Sequence, residues 1–575
     1  MKELEVDGVV EHSDRPWSSP IVLPRITSRT EHGSDRVKKS KRPIFRHEMQ
    51  QFRWPTLLGK KWDLQRNGLL CWNAGNTLRH LRCTSSMSAS ISAGVSEQSK
   101  PFSSIPGPLR LPLIGTLLPY KIGLKKIKDY HYHVCDLYHQ YGPLVKEHFG
   151  SQVIVHVFDP ADIRTVYEND GKTPYIPPLQ ETTQFYRQEK DMSLGLGNIN
   201  GEEWYKLRHA VQMMMLRPRE VSYYYPLQDG VAKKAIEKLA AEVDEDGVVS
   251  NLNTLISQWI LESAGMCCFE KSLGCLSGGD EEEMAKNLVR TNVEIFQLSA
   301  ELKFSMRIYR YFKTRKYRKL HNLEDFFYGV SIDFITDALN HIKGLSAENK
   351  LKEGDFNFLT YLMSRKELSH KDIVTITLSL FSDGLSTTSP VLLGNLHCLA
   401  LNPEVQERLY EEIKKNIDPS SPITVHTINK LHYLKAFVKE VFRFYPVGES
   451  VQRLPQKDLV LSGFHVPAGT YLDLNPYLWL LSDMYFSDPL VLRPERWLRD
   501  SAGTLAVDPY ILNPFSIGTR MCAGRRFAEQ DLFVGLCRLL LKYRLEATDN
   551  SPPRQEWSVL LKPKSPLPIR FIARK

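Results

Sequence analysis

The first hundred of the chain's 575 residues lack any run of about 18 apolar residues, so no membrane-spanning anchor is expected there. The nine cysteines form no C-x-x-C pair and no even ladder of spacings. Zinc is therefore not expected, and reduced thiols in an intracellular compartment are. No extreme of charge is present either. The formal net charge of +9 permits an acidic partner or an anionic membrane without requiring one. Acidic residues are scarce in one stretch: between Met49 and Ser96 only Asp63 stands against Arg53, Lys60, Lys61, Arg66, Arg79 and Arg82. That stretch ends in a serine-rich run from Thr84. Arginine-bearing, serine-rich and acid-poor is the composition of a mitochondrial transit peptide, and residues 49–99 are read as that leader with its linker.

What is present is ordinary globular material, 42% hydrophobic and 25% charged, enough for a large core. The stretch that organises it runs from Pro514 to Glu529. Cys522 lies between Gly518 and Gly524, Arg520 stands two residues before it, and the spacing up to about Lys542 predicts a helix directly after. A sulfur ahead of a helix N-terminus is placed to ionise, because free N–H groups and the helix dipole favour negative charge. The glycines let a flat partner approach the backbone, and Arg520 can meet an anionic group. A lone cysteine is ordinarily a small buried hydrophobe. Here the pattern Phe515-x-x-Gly518-x-Arg520-x-Cys522-x-Gly524 resembles the haem-ligand loop of the cytochrome P450 family. The resemblance implies a haem b with Cys522 as its axial thiolate and Phe515, Gly518, Arg520 and Gly524 around it. It also implies that family's mainly α fold with small β-sheets.

Upstream, Glu3 to Pro24 resembles the start of a retroelement reverse transcriptase. About 22 residues cannot form a polymerase, so residues 1–48 are read as a gene-model or genomic fusion without function. The catalytic domain is expected over 100–575, entered through the stiff Pro106-Gly107-Pro108 segment. A helix is expected from Leu124 to Tyr141, a strand over Val153–Phe158 and a loop over about 170–200. Mainly helix follows from about 225 to 420, and Leu560 to Ile572 reads as a closing β-hairpin.

Trp204 and Arg208 are i, i+4 on one helix face, which by itself fits a surface cation–π pair. The resemblance makes them haem-propionate contacts, with Arg453 as another. Asp372 to Leu401 reads as one long helix, loosened in its middle by Gly384, several hydroxyls and Pro390. By resemblance this helix holds oxygen and relays protons, with Thr387 as the key hydroxyl. Two positions depart from the family: Ser386 stands where an acid is usual, and Asp383 where a small residue is usual. Asp383 is one turn from Thr387, so it is expected to share in the proton relay or to hydrogen-bond the substrate.

Glu440 and Arg443 alone make a common surface pair. Followed by Pro494–Trp497, they resemble the family's buried Glu–Arg–Arg network, with Arg496 as third member. Val447 to Val451 should edge the substrate pocket. Lys435, Lys439, Arg525 and Arg526 match positions at which mitochondrial members dock an acidic ferredoxin, with plain solvated charge as the alternative. Lys303 to Leu320 interleaves eight basic residues with aromatics. Membrane contact and a solvated face are both open for it, while nucleic acid is disfavoured because no nucleic-acid fold accompanies the run.

The expected function is haem-thiolate monooxygenation of an apolar, steroid- or sterol-like molecule. Electrons would come from a mitochondrial 2Fe–2S ferredoxin with its NADPH-dependent reductase, and the enzyme would sit peripherally on the matrix side of the inner membrane. Two alternatives stand: a haem-thiolate isomerase or dehydratase that needs no oxygen activation, and a haem-binding carrier or sensor. If residues 1–48 are a fusion, mass spectrometry of the endogenous protein will find no peptide upstream of residue 30; one such peptide refutes it.

Overall fold

The structure, a computed structural model, describes residues 99–352, 354–498, 507–549 and 554–574. The readings of residues 1–48 and of 49–98 lie outside the described residues. Alternating apolar residues after Gly142 produce two strands, Leu144–Phe149 and Gln152–Val157, antiparallel with Leu144 opposite Val157. The second pairs in parallel with Tyr471–Leu474, which carries Val451–Arg453 on its other side. A parallel pair needs a long crossover, and here most of the helical body is the crossover. A buried charge pins three of the strands. The His156 ring lies between Glu147 at 3.1 Å and Asp473 at 3.0 Å. Burial opposes a charged imidazole, but the two carboxylates outweigh it and push the ring's pKa up to about 9.

The helices Leu252–Phe269, Gly279–Lys303, Arg315–Ala347 and Arg525–Lys542 all pack on the central helix His370–Leu401. Its start is set by a capping box. The Ser369 hydroxyl accepts from the Asp372 amide at 3.2 Å, and the Asp372 carboxylate accepts from the Ser369 amide at 3.0 Å. The helix runs through Pro390 and stops at Asn402, where Pro403 opens the next one.

Three local expectations need correction. The first long helix starts at Tyr130, not Leu124, after a 3-10 turn at Ile127–Asp129. Leu124 was counted into the apolar stripe but is 77% exposed. The supposed loop over 170–200 contains the helix Glu181–Glu189, whose buried face is Thr182, Thr183, Tyr186 and Arg187. A buried face made largely of polar groups leaves no apolar periodicity to read. Leu560 to Ile572 is not one hairpin. Leu560–Pro563 pairs with Gln555–Ser558, and Ile569–Ala573 pairs with Tyr543–Ala547.

The expected Glu–Arg–Arg network is present beneath the central helix. Glu440, without exposed surface, accepts from Arg443 Nη2 at 2.7 Å and Nε at 3.1 Å, and from Arg496 Nε at 2.9 Å. Trp497 Nε1 at 2.8 Å and the Arg493 amide at 3.1 Å complete it. Arg443 spends its remaining N–H groups on the carbonyls of Leu480, Pro489 and Val491. Removing the charge leaves two buried guanidiniums short of an anion. Glu440→Gln is expected to lower unfolding stability by about 3–5 kcal/mol, read from denaturant midpoints.

Candidate functional site

Cys522 ends a loop that turns into the helix Arg525–Lys542, the boundaries expected from the spacing. Its amide donates to the Phe515 carbonyl at 2.8 Å and so closes the loop on itself. Gly518 adopts φ +79°, a left-handed conformation suited to glycine, and nothing lies within 4 Å of where a Cβ would be. One side of the loop is therefore open. The sulfur is exposed to a cavity of about 620 Å³ between the loop and the central helix. Burial pushes its thiol upward; the Gly524 amide opposes this, the Asp383 charge adds to it, and Arg208 and the Arg525 amide oppose it again. The amides of the helix terminus favour the thiolate, as the sequence position predicts, but burial outweighs them. A cation beside the sulfur would ionise it.

Across the cavity stand Asp383, Gly384, Ser386 and Thr387 of the central helix. Thr387 Oγ1 donates to the Asp383 carbonyl at 2.7 Å, and Ser386 Oγ reaches the same carbonyl at 3.3 Å. Acid and hydroxyl share one turn and one cavity, as expected, but they are joined through the backbone and not through the carboxylate. That carboxylate accepts from Ser382 Oγ at 3.3 Å. Burial pushes Asp383 up to about 6, against the Arg187 charge and the Ser382 hydroxyl. Val447, Gly448, Ser450 and Val451 edge the cavity as expected. Glu449 in the same run does not, since it is buried and accepts from Trp557 Nε1 at 2.6 Å.

A rim of arginines flanks the loop. Arg520 donates to the carbonyls of Pro174, Leu196 and Ile199 at 2.7–3.2 Å and to Asn200 Oδ1 at 3.1 Å. Its guanidinium lies 4.6 Å from the Trp204 ring, so Trp204 partners Arg520 and not Arg208. Arg208 is buried; it gives one N–H to the Met521 carbonyl at 2.9 Å, and its Nε has no partner among the described residues. Arg453 pairs with Asp170 at 2.7 Å. Burial, then repulsion from Arg453 and Arg208, pushes Arg520 down to about 9. Three guanidiniums and one carboxylate leave this edge short of negative charge. A flat group with carboxylates on its rim and a metal cation at its centre supplies what the two sides lack, so the residues present fit a haem.

Beyond the loop, Arg525 and Arg526 share Glu529 at 2.9 and 3.5 Å. Lys439 lies 4.1 Å over the Trp497 ring, and Lys435 donates to Asn429 Oδ1 at 3.2 Å. Burial and then the neighbouring Arg525 charge lower Lys439, so these cations belong to one patch. In the Lys303–Leu320 run, Arg307, Arg310, Lys313, Lys316 and Lys319 are all ion-paired within the chain. Phe304, Tyr309 and Tyr317 of the run are buried, but Tyr311 is 81% and Phe312 73% exposed. Sequence reasoning missed Asn200, which only the fold brings to Arg520, and Trp497, which stood beside Arg496 in the quoted segment.

The geometry is that of a site for a sulfur-ligated, flat anionic cofactor. A family model for cytochrome P450 matches residues 105–571. The chain is 43% identical over 477 residues to a probable cytochrome P450, CYP44, of Caenorhabditis elegans, which covers 82% of this chain and 94% of that one. It is 28% identical over 473 residues to the mitochondrial 1,25-dihydroxyvitamin D(3) 24-hydroxylase of Rattus norvegicus, covering 82% and 89%. Against the probable mitochondrial cytochrome P450 12a5 of Drosophila melanogaster it is 29% identical over 440 residues, covering 73% and 81%. The chain belongs to the cytochrome P450 family, and is thus a haem-dependent oxidoreductase of the monooxygenase type.

One wall near the cavity titrates. The buried Glu324 accepts from Thr183 Oγ1 at 2.8 Å. Burial, against Thr183 and Arg187, pushes its carboxyl from 4.5 up to about 8. Between those pH values it is protonated in the fold and ionised in the unfolded chain. Its contribution to stability is therefore full below about pH 4.5 and fades as the pH rises toward 8. Glu324→Gln is expected to flatten that part of the melting-midpoint profile against pH; an unchanged slope contradicts the assignment.

Proposed function

We propose that the enzyme hydroxylates an apolar, steroid- or sterol-like molecule held between the central helix and the Cys522 loop. The observation that carries this is the sulfur, open to a large cavity, facing Thr387 and Asp383 with an arginine rim at its side. Cys522 would hold the haem iron through its sulfur, with Phe515, Gly518 and Gly524 shaping its loop. Arg208, Arg453 and Arg520, the last backed by Trp204, would hold the carboxylate edge of the haem. The bound haem supplies oxygen activation and insertion. Apolar walls such as Ile376, Leu380 and Phe296 exclude water and align the substrate carbon. Thr387 holds a proton at Oγ1. Asp383, one turn away with its carboxyl near 6, takes up and returns protons close to neutral pH, which is the task the family usually gives to position 386.

The hydroxylase name of one relative and the mitochondrial names of two support the substrate class and compartment. Arg525 and Arg526 around Glu529, with Lys439 and Lys435 near them, suit an acidic mitochondrial ferredoxin as electron donor, itself reduced by its NADPH-dependent reductase. The exposed Tyr311 and Phe312 suit a peripheral seat on the inner membrane from the matrix side. Among the described residues no helix is long and apolar enough to cross a membrane. A second reading, a haem-thiolate isomerase or dehydratase, draws on Ser386, whose hydroxyl is turned to a backbone carbonyl and offers no acid.

The deciding measurement is the carbon monoxide difference spectrum, after reduction by dithionite or through ferredoxin and its reductase. A thiolate-type band by both routes is expected, and its loss in Cys522→Ser. Absence of the band sinks the proposal, and turnover without any ferredoxin favours the second reading. Asp383→Ala is expected to cut product formed per NADPH about tenfold and to erase a rate limb near pH 6. Unchanged coupling removes Asp383 from the relay.

A further inference from the structure

A second cavity, of about 260 Å³, lies beside the first and shares Leu179 and Gln180 with it. Its lining differs in kind. Lys303, Arg307 and Arg310 bring three positive charges to it and Glu181 one negative. Arg307 donates from Nη1 to Glu181 at 2.9 Å and from Nη2 to Gln152, and its enclosed Nε has no partner among the described residues. Arg310 pairs with the other oxygen of Glu181. Lys303 lies 5.2 Å from the Trp557 ring centre and is offset from behind by the buried acids Asp473 and Glu449. Glu181 thus answers one of two arginines, and the pocket is short of one anion.

Its surroundings say where the anion comes from. Leu179 on the lining, and Met306, Ile308, Tyr311 and Phe312 in the same turn as the arginines, are all exposed. A charged pocket among apolar side chains matches an amphiphile whose head enters and whose tails leave along the surface.

We propose that this pocket takes the phosphate of an anionic membrane phospholipid, with Arg307 and Arg310 as the groups that bind it. The proposal rests on the membrane-facing reading above. A phosphodiester carries the single negative charge the pocket lacks, and guanidinium groups bind phosphate in paired hydrogen bonds. A choline headgroup would bring its own cation toward these arginines, so the pocket prefers phosphatidylglycerol to phosphatidylcholine.

The test is partition of the haem-loaded full chain onto phosphatidylcholine vesicles with and without phosphatidylglycerol, at about 0.15 M salt. Phosphatidylglycerol is expected to strengthen binding, and Arg307→Gln and Arg310→Gln each to lose about fivefold of that gain, with binding to pure phosphatidylcholine unchanged. Lys316→Gln and Lys319→Gln, whose partners are Glu301 and Glu294, should lose clearly less. Equal losses at all four positions overturn the pocket in favour of diffuse surface attraction. A gain insensitive to Arg307 and Arg310 overturns the pocket alone; no gain for any form overturns it together with the membrane reading. Glycerol 3-phosphate binding as tightly as vesicles, by calorimetry, overturns the lipid assignment. An intact carbon monoxide band certifies each variant's fold, and the half-exposed Arg310 serves should Arg307→Gln lose it.

Discussion

Five donors converge on the Glu440 carboxylate in a place water does not reach. In a low-dielectric interior such a group is either fully answered or strongly destabilising, and here it is fully answered. Because its donors come from the helix His432–Phe444 and from the segment around Arg493–Trp497, the network locks the two together. The same helix presents Phe442 to Phe515 with ring centres 5.2 Å apart, so the loop bearing Cys522 rests on the locked pair. The central helix packs on this helix and on the one after Cys522. The separation between sulfur and Thr387 therefore depends on a charge that touches neither.

The site itself is built from imbalances. Its arginine rim holds more positive charge than Asp170 can answer, and the sulfur is held in burial that disfavours its ionised form. Each side is incomplete alone, and one cofactor completes both. The Asp383 carboxyl follows the same logic at smaller scale. Burial lifts it to about 6, one turn from the Thr387 hydroxyl.

Much of this was legible. The Cys522 loop, the helix after it and the Glu440–Arg443–Arg496 set are encoded by residue types at short, fixed offsets, and local spacing survives folding. The helix Glu181–Glu189 was not legible, because its inward face is polar and carries no apolar period. The partner of the Trp204 ring was not legible either, for a related reason. Its spacing from Arg208 is real, yet Arg520, far along the chain, occupies the ring. Likewise the basic run from Lys303 looked like free charge, but acids on other helices, Glu181, Glu189, Glu294 and Glu301, pair with five of its members.

By itself, then, the amino-acid sequence determined the family, the sulfur that defines the site and the two departures at Asp383 and Ser386, since each is a matter of which residue stands at which offset. Tertiary structure alone decided the charge state and company of those residues. Whether Asp383 titrates near neutrality, which arginine meets Trp204 and which cations remain unanswered depend on burial and on partners remote in the chain. Local order along a chain does not specify the dielectric around a group or the neighbours that folding brings to it.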